Sequence, residues 1–275
     1  MKIISMFFIL LLMTSCSRID LAVSLAPRLI SNEIDDALDL DSDRYKKIKE
    51  AITKDIEKNS KPLFTEINVS LEHLLQLTEK NEISPDDLGP IAQEFKDLQK
   101  KVVTAFAASF SEVILQISRT EISNLKEYAL EKKKKSDEIL TDKNKFYRNY
   151  MKTYEHYADL FMNSSNREQE IVFKDFLDDS RSYYQSRNQE RMDSLKQFDR
   201  LFASKKELLD FNLSYYAGET LTKSDDFVKK QETFRKQFLV FISKFWNLSS
   251  PGQKNHFRKY LTDTRAELKK IISKE

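Results

Sequence analysis

The scarcity of glycine and proline is the feature that most limits what this chain can fold into. Only three glycines and five prolines occur in 275 residues, well below ordinary usage in globular proteins. A β-rich or α/β fold of this length needs many tight turns, and such turns draw on glycine, proline and asparagine. Lysine, glutamate and leucine, which favour helices, are plentiful instead. The composition therefore predicts an all-α fold, either a multi-helix bundle or an elongated helical array.

The spacing of apolar residues agrees with a helical fold. Ile48, Ile52 and Ile56 recur every four residues, and an aromatic stripe runs from Phe146 to Phe161 at similar spacing. No stripe keeps a heptad repeat long enough to indicate a simple coiled coil. After a short amphipathic segment at 19–38, the predicted helices lie near 43–79, 85–117, 119–138, 142–162, 166–203, 205–217, 223–247 and 251–272.

Helix-start signals stand at the breaks between these stripes. Ser84-Pro85-Asp86-Asp87 places a capping hydroxyl, a proline in the first turn and an acid three residues after the cap. Ser250-Pro251-Gly252-Gln253 repeats this arrangement. Four further pairs have the spacing of a capping box: Ser118 with Glu121, Ser165 with Glu168, Ser204 with Glu207, and Thr222 with Asp225. Gly218 and Gly89 are expected to be helix breaks.

The first sixteen residues resemble the export signal of a bacterial lipoprotein. Lys2 precedes an apolar run, Ile3 to Met13, that is too short to span a bilayer. The segment Leu12-Met13-Thr14-Ser15-Cys16 then resembles a lipobox. This resemblance implies a signal peptide at 1–15 and a mature chain that begins at Cys16, bearing diacylglycerol and an N-acyl chain. Residues 16–40 would then be a lipidated, amphipathic tether, and 41–275 the helical domain.

Cys16 is the only cysteine, so neither an intramolecular disulfide nor a cysteine-based zinc site can form. The competing interpretation is an incidental buried thiol. Ser17, rather than an aspartate, follows Cys16, which favours the outer membrane. We therefore expect the protein in the cell envelope, anchored by lipid and facing the periplasm.

The nearly balanced charge of the mature chain argues against a nucleic-acid partner. Without residues 1–15, which contain only Lys2, the net charge falls from +2 to +1, whereas nucleic-acid binding needs a clustered positive field. The block Lys132 to Lys135 is expected on a solvated helix face. A contact with anionic lipid is its alternative interpretation.

A recurring sequence pattern underlies a second resemblance, to a protein family. An apolar residue is followed by Ser, Thr or Asp and then by a helix start, as in Leu40-Asp41-Ser42, Ile83-Ser84-Pro85 and Leu248 to Gln253. With the acidic pair Asp35-Asp36, these phrases resemble an uncharacterised family, a domain of unknown function, of all-helical proteobacterial lipoproteins. The resemblance implies helical topology and lipid anchoring, and it assigns no catalytic residue. The helix starts also look like those of small periplasmic chaperones, more faintly.

Two groups of residues are candidate metal ligands. Asp39, Asp41, Asp43 and Glu50 occupy positions 1, 3, 5 and 12 of a calcium-binding loop, but Arg44 stands where that loop needs a glycine. Helix capping by an acidic or hydroxyl side chain at 41–43 is the simpler interpretation. The three histidines, at positions 73, 156 and 256, are far apart and lack paired spacing, so we predict no metal site.

The sequence also lacks a nucleophile elbow, a phosphate loop and a dinucleotide fingerprint. We therefore expect a non-enzymatic protein without a cofactor other than its covalent lipid. A hydrolase-type site made of carboxylates and a histidine is the less favoured alternative.

The aromatic residues have two interpretations. The chain has 19 phenylalanines, 11 tyrosines and one tryptophan, concentrated between Phe146 and Trp246. They are either core residues or the lining of an apolar groove for a partner helix, an unfolded client or an acyl chain. The candidate groove residues are Phe146, Tyr150, Tyr154, Tyr157, Phe238, Phe241, Phe245 and Trp246. The leading functional hypothesis is binding of a protein partner through helical surfaces. The alternative is a periplasmic chaperone or a carrier of lipid or another hydrophobic ligand.

Overall fold

The fold is all-α, as the composition predicts. The computed structural model describes residues 18–273, and this part of the chain contains ten α-helices and no strand. The helices are α1 (Arg18–Leu38), α2 (Ser42–Leu77), α3 (Pro85–Ala105), α4 (Ala107–Leu115), α5 (Arg119–Thr141), α6 (Lys143–Met162), α7 (Arg167–Arg200), α8 (Lys205–Tyr216), α9 (Asp225–Asn247) and α10 (Pro251–Ser273). The predicted signal peptide and Cys16 lie outside the described residues.

Several helix ends follow from the capping signals in the sequence. Ser84 and Asp87 form a capping box at the start of α3, and Ser118 and Glu121 form another at α5. Gly218 follows α8 with a φ of 79°, a left-handed conformation that glycine adopts without strain. The other predicted break, at Gly89, is wrong, because Gly89 lies inside α3.

Three predicted capping boxes are also wrong in detail. Asn166 caps α7 instead of Ser165. Ser204 precedes α8 without a side-chain cap hydrogen bond, and Ser224 caps α9 instead of Thr222.

One predicted helix is wrong. The segment 85–117 was expected to be continuous, but it breaks at Phe106, whose φ of −101° and ψ of 15° are not helical. The break divides the segment into α3 and α4. Hydrogen bonds from α2 to the backbone on both sides stabilise the break.

The helices enclose three connected regions of core. An aliphatic region lies between α1, α2, α3 and α10 and contains the fully buried Ile48, Ile52 and Leu71. An aromatic region lies mainly between α6, α7 and α9. A third region joins α4, α5 and α8 around Leu208. Apolar burial of this extent is the main force that holds such helices together.

Two buried glutamines connect α7, α9 and α10. Gln169 completes the capping box of α7, and its Nε2 donates to the Phe245 carbonyl at 3.2 Å. Gln253 has the same place in α10, and its Nε2 donates to Oε1 of Gln169 at 3.0 Å. Because both amides are buried, each needs these partners. The capping phrases of the sequence therefore also fix how these helices meet.

Residues 18–38, predicted as a tether segment, form a helix that packs on the body of the molecule. Ile19, Ala26 and Ile30 of α1 are buried in the aliphatic region. Within residues 18–273, no helix contains a stretch long and apolar enough to cross a bilayer.

Candidate functional site

The aromatic residues predicted as a groove lie mostly in the core. Phe146, Tyr154, Phe241, Phe245 and Trp246 are all at least nine-tenths buried. Tyr150 and Tyr157 are half-buried. Phe238 is the one member of this set with a large exposed fraction, 41%.

These rings pack directly against one another and against other rings of α7. Tyr154 of α6 stacks on Phe173 with the ring centroids 4.4 Å apart, and Phe241 of α9 stacks on Phe176 at 5.1 Å. Such distances are those of favourable aromatic pairs in a filled core. Burial also raises the pKa of Tyr154 to about 12. These aromatic side chains thus fill the space between α6, α7 and α9.

A cavity of about 180 Å³, partly open to solvent, lies elsewhere and is lined by aliphatic side chains and four aromatic rings. It is bounded by α1, α2, α3, α4, α5, α7 and α8, and none of the predicted groove residues lines it. Its lining residues are Ile30, Glu33, Ile34, Ala37, Leu38, Ile52, Val102, Val103, Phe106, Ser109, Phe110, Val113, Ile114, Ile117, Leu125, Phe198, Asn212 and Tyr216. Most of this lining is apolar, so the cavity favours a hydrophobic occupant over water.

The break at Phe106 shapes this cavity, because the residues that line it come from both sides of the break. Two side chains of α2 compensate for the lost helical hydrogen bonds. Asn59 Nδ2 donates to the Ala105 carbonyl at 2.7 Å, at the end of α3. Asp55 Oδ2 accepts from the backbone N–H of Ser109 at 2.8 Å, at the start of α4. Since backbone groups at a break need partners, α2 stabilises the broken form.

Charged side chains of α2 lie at both ends of α4, and each has the sign that the helix dipole of α4 favours at that end. The carboxylate of Asp55 lies at the N-terminus of α4, where a negative charge is favourable. The guanidinium of Arg44 lies at the other end and donates to the carbonyls of Glu112 at 3.0 Å and Val113 at 3.1 Å. Arg44 also pairs with the carboxylates of Glu112 and Glu121. The cavity wall is therefore held at both ends by one neighbouring helix.

The few polar side chains around the cavity mostly have partners in the protein. Ser109 Oγ donates to Asp55, and Asn212 Nδ2 donates to the Leu208 carbonyl at 3.0 Å. Glu33 accepts from the Tyr128 hydroxyl at 3.4 Å. Burial, reinforced by the charge of Glu33, raises the pKa of Tyr128. These internal contacts leave the cavity surface largely apolar.

The acidic residues that match positions of a calcium-binding loop lie at and near the start of α2. Asp41 caps the helix, and its Oδ1 accepts from the Arg44 N–H at 2.8 Å. Asp39 adopts a φ of 55° in the turn before it, and Glu50 is exposed on α2. Among residues 18–273, no group of three or more histidine, cysteine, aspartate or glutamate side chains is placed to hold a metal ion.

Each of the three histidines has its own local contact. His73 Nδ1 contacts Glu94 at 2.9 Å on an exposed surface. His256 Nε2 contacts the Leu160 carbonyl at 3.3 Å, and His156 lies edge-on to Tyr157. Each histidine is thus accounted for by local packing.

The basic block Lys132 to Lys135 lies on the surface of α5. Lys133 pairs with Asp137, and Lys135 pairs with Glu131. The Lys132 ammonium lies 4.8 Å from the Tyr128 ring centroid. Internal contacts therefore engage three of these four lysines.

The sequence did not identify the cavity, although one signal was present. Val102–Val103 and Val113–Ile114 are adjacent apolar pairs, so this segment is apolar on more than one side. A helix of that kind is enclosed on several sides, but the pattern does not say whether its neighbours fill the space. No protein-family model matches this chain, and neither a curated protein nor a solved structure does.

Proposed function

We propose that this chain is a non-enzymatic lipoprotein of the bacterial cell envelope, anchored through acylated Cys16, whose helical body binds a small hydrophobic ligand. The cavity of about 180 Å³ carries the ligand part of this proposal. Protein interiors are normally close-packed, and an unfilled apolar cavity destabilises the fold in proportion to its volume. A bound apolar group would recover those lost contacts.

The size of the cavity limits the ligand. An apolar cavity of about 150 Å³ is known to stay dry and to bind benzene, so this one fits a single ring or a short alkyl segment. Larger hydrophobic molecules would insert only one such group. This supports a carrier of a short alkyl or single-ring group over a chaperone that encloses a whole client.

The outer face of α1 supports the membrane anchor. Leu21, Leu25 and Leu29 form one stripe and expose 55%, 42% and 37% of their surfaces. Since the opposite face, with Ile19, is buried in the core, the first half of α1 is apolar on two sides. Cys16 precedes Leu21 by at most about 18 Å of extended chain. Acyl chains on Cys16 that insert into a membrane leaflet would therefore hold this stripe against that leaflet. We propose that the leaflet covers the three exposed leucines.

The ligand proposal is tested by filling the cavity. Octanol binding is measured by calorimetry on the native protein, on Ala37→Leu and on Ala266→Leu. Ala37 lines the cavity, whereas Ala266 is exposed on α10, so it is the matched control. We expect octanol to bind the native protein and the control, and Ala37→Leu to lose at least tenfold in affinity. No binding to the native protein would contradict the proposal.

The anchor is tested separately with Cys16→Ser. Without acyl chains, each of whose buried methylenes contributes about 0.8 kcal/mol to membrane binding, the three leucines of α1 alone should not hold the protein. We expect the variant in the soluble fraction after cell fractionation and the native protein in the membrane fraction. Retention of the variant in the membrane fraction would contradict anchoring through Cys16.

Binding of a protein partner is the second candidate function. Phe238 of α9 exposes 41% of its surface, which supports an apolar contact there. The test is crosslinking in cells with a photoreactive residue at Phe238 and, as a matched control, at Leu130, which is 54% exposed on α5. A discrete crosslinked product from Phe238 alone would favour this candidate. The same products from both positions would exclude a specific partner at Phe238.

A further inference from the structure

A second pocket, of about 70 Å³, lies beside the apolar cavity and differs from it in having several charged side chains in its lining. Four basic residues line it: Arg187 and Arg191 of α7, Lys223 before α9, and Arg235 of α9. Glu190 is the one acidic side chain in its lining, and it accepts from the Ser224 hydroxyl at 3.0 Å. The lining therefore carries a net charge of about +3 at neutral pH, taking each group at its ordinary ionisation.

These four cations form no ion pair within the described part of the chain. Arg191 and Arg235 are exposed to solvent, whereas Arg187 and Lys223 are partly buried. Across residues 18–273, the guanidinium and ammonium groups of the four residues make no hydrogen bond and no ion pair, and the Arg187 Nε is buried without a partner. Buried polar groups of a folded protein normally have partners. A buried donor without one, in a pocket of uncompensated positive charge, indicates a missing acceptor of negative charge.

The pKa shifts of two of these cations agree with this. Burial lowers the pKa of Lys223, the positive charge of Arg235 lowers it further, and the negative charge of Glu190 partly opposes both effects. Burial likewise lowers the pKa of Arg191, to which Arg187 adds. An anion in the pocket would oppose both effects. Arginine side chains also present forked donors that suit a phosphate or a carboxylate.

Tyr216 connects this pocket with the apolar cavity, because it lines both. Its ring lies 5.3 Å from that of Phe110 on the cavity side. Burial raises the pKa of Tyr216 to about 12, and the charge of Arg191 opposes this rise, so the hydroxyl lies within the field of the basic pocket. Tyr216 thus contacts the apolar cavity and the basic pocket, which are therefore adjacent.

We propose that Arg187, Arg191, Lys223 and Arg235 form a binding site for a phosphate-type oxyanion. Since the two spaces share Tyr216, the form that binds most tightly is a phosphate at the head of an alkyl chain, with the chain in the apolar cavity. The alkyl part of this inference rests on the proposed function, and the oxyanion part does not.

Three probes distinguish the two parts by calorimetry on the full mature chain: octyl phosphate, octanol and inorganic phosphate. We expect octyl phosphate to bind at least tenfold more tightly than either of the others, and its affinity to fall as salt is added. If inorganic phosphate binds as tightly as octyl phosphate, the joint occupancy of both spaces is wrong. If octanol binds as tightly as octyl phosphate, the oxyanion site is wrong although the cavity ligand stands. Binding of none of the probes contradicts both.

A matched pair of variants assigns the effect to the pocket. Arg187→Gln removes one charged donor, and charge-assisted hydrogen bonds of this kind correspond to about 10- to 100-fold in affinity. We expect that loss for octyl phosphate and none for octanol, whose unchanged affinity also shows that the variant is folded. Arg200→Gln is the control, since Arg200 is exposed at the end of the same helix. Equal losses in the two variants would overturn the assignment.

Discussion

The aromatic core between α6, α7 and α9 and the aliphatic half around α1, α2, α3, α4 and α8 bury their apolar residues in different ways. In the aromatic core, rings such as Tyr183 and Phe234 stack with centroids 4.1 Å apart. In the aliphatic half, a cavity of about 180 Å³ remains. A high density of aromatic residues therefore does not indicate a groove in this molecule, because large flat rings fill the space between helices efficiently.

The cavity arises where the backbone departs from regular helix. Valine and isoleucine are stiff and short, so Val102, Val103 and Ile114 cannot reach across the space opened at Phe106. Asp55 and Arg44 hold α4 in this position from outside the cavity. Hydrogen bonds therefore help to fix the position of α4, together with its apolar contacts in the third core region.

The largest expected contrast comes from truncating one leucine in each region. Leu177 is fully buried in the aromatic core, and Leu38 is buried beside the cavity. Leu177→Ala should lower the free energy of unfolding by about 4 kcal/mol and Leu38→Ala by about 2 kcal/mol, because Leu38 already lacks neighbours on one side. Urea denaturation measures both. Equal losses would break the contrast between a filled and an unfilled region.

Enlarging one alanine in each region should change stability by a smaller amount, and the sign of the change should differ between the two regions. Ala158 is buried in the aromatic core, where an added leucine side chain should cost about 1–3 kcal/mol through overpacking. Ala37 lines the cavity, where the same change should stabilise by about 0.5–2 kcal/mol. Thermal unfolding of Ala158→Leu and Ala37→Leu would show this directly. Destabilisation by Ala37→Leu would indicate that the space is closed in solution.

The smallest effect at neutral pH is expected from Tyr154→Phe in the aromatic core. Burial raises the pKa of the Tyr154 hydroxyl from 10 to about 12, so the folded state favours the neutral form. The stability that this group contributes is present below pH 10 and is lost as the pH rises from 10 to about 12. The variant should match the native protein within about 0.5 kcal/mol at pH 7 and unfold at a higher pH. Circular dichroism against pH measures this, and an unchanged alkaline midpoint would contradict it.

The sequence predicted local features of the fold well, and the candidate site poorly. The capping box at Ser84 and the helix end at Gly218 depend on residues close in the chain, which is why their positions could be read directly. The break at Phe106 depends on Asp55, which is 54 positions away from its partner Ser109. No local pattern around Phe106 carries that information.

The two candidate binding spaces show the same limit. Arg187, Arg191, Lys223 and Arg235 are spread over 49 residues and form no charge block, so only the packing of α7 against α9 brings them together. The cavity residues likewise come from seven helices. Sequence spacing reports which side chains share a helix face, not how completely the facing helix covers them.

By itself the sequence determined the all-α class, most helix ends and the resemblance of its first sixteen residues to a lipoprotein signal, because these depend on composition and on neighbouring residues. Only the tertiary structure decided that the aromatic side chains fill a core, and that an apolar cavity lies next to a pocket of four cations. Those features depend on contacts between residues far apart in the chain, where the volumes of facing side chains and the placement of charges become fixed only after the helices have packed.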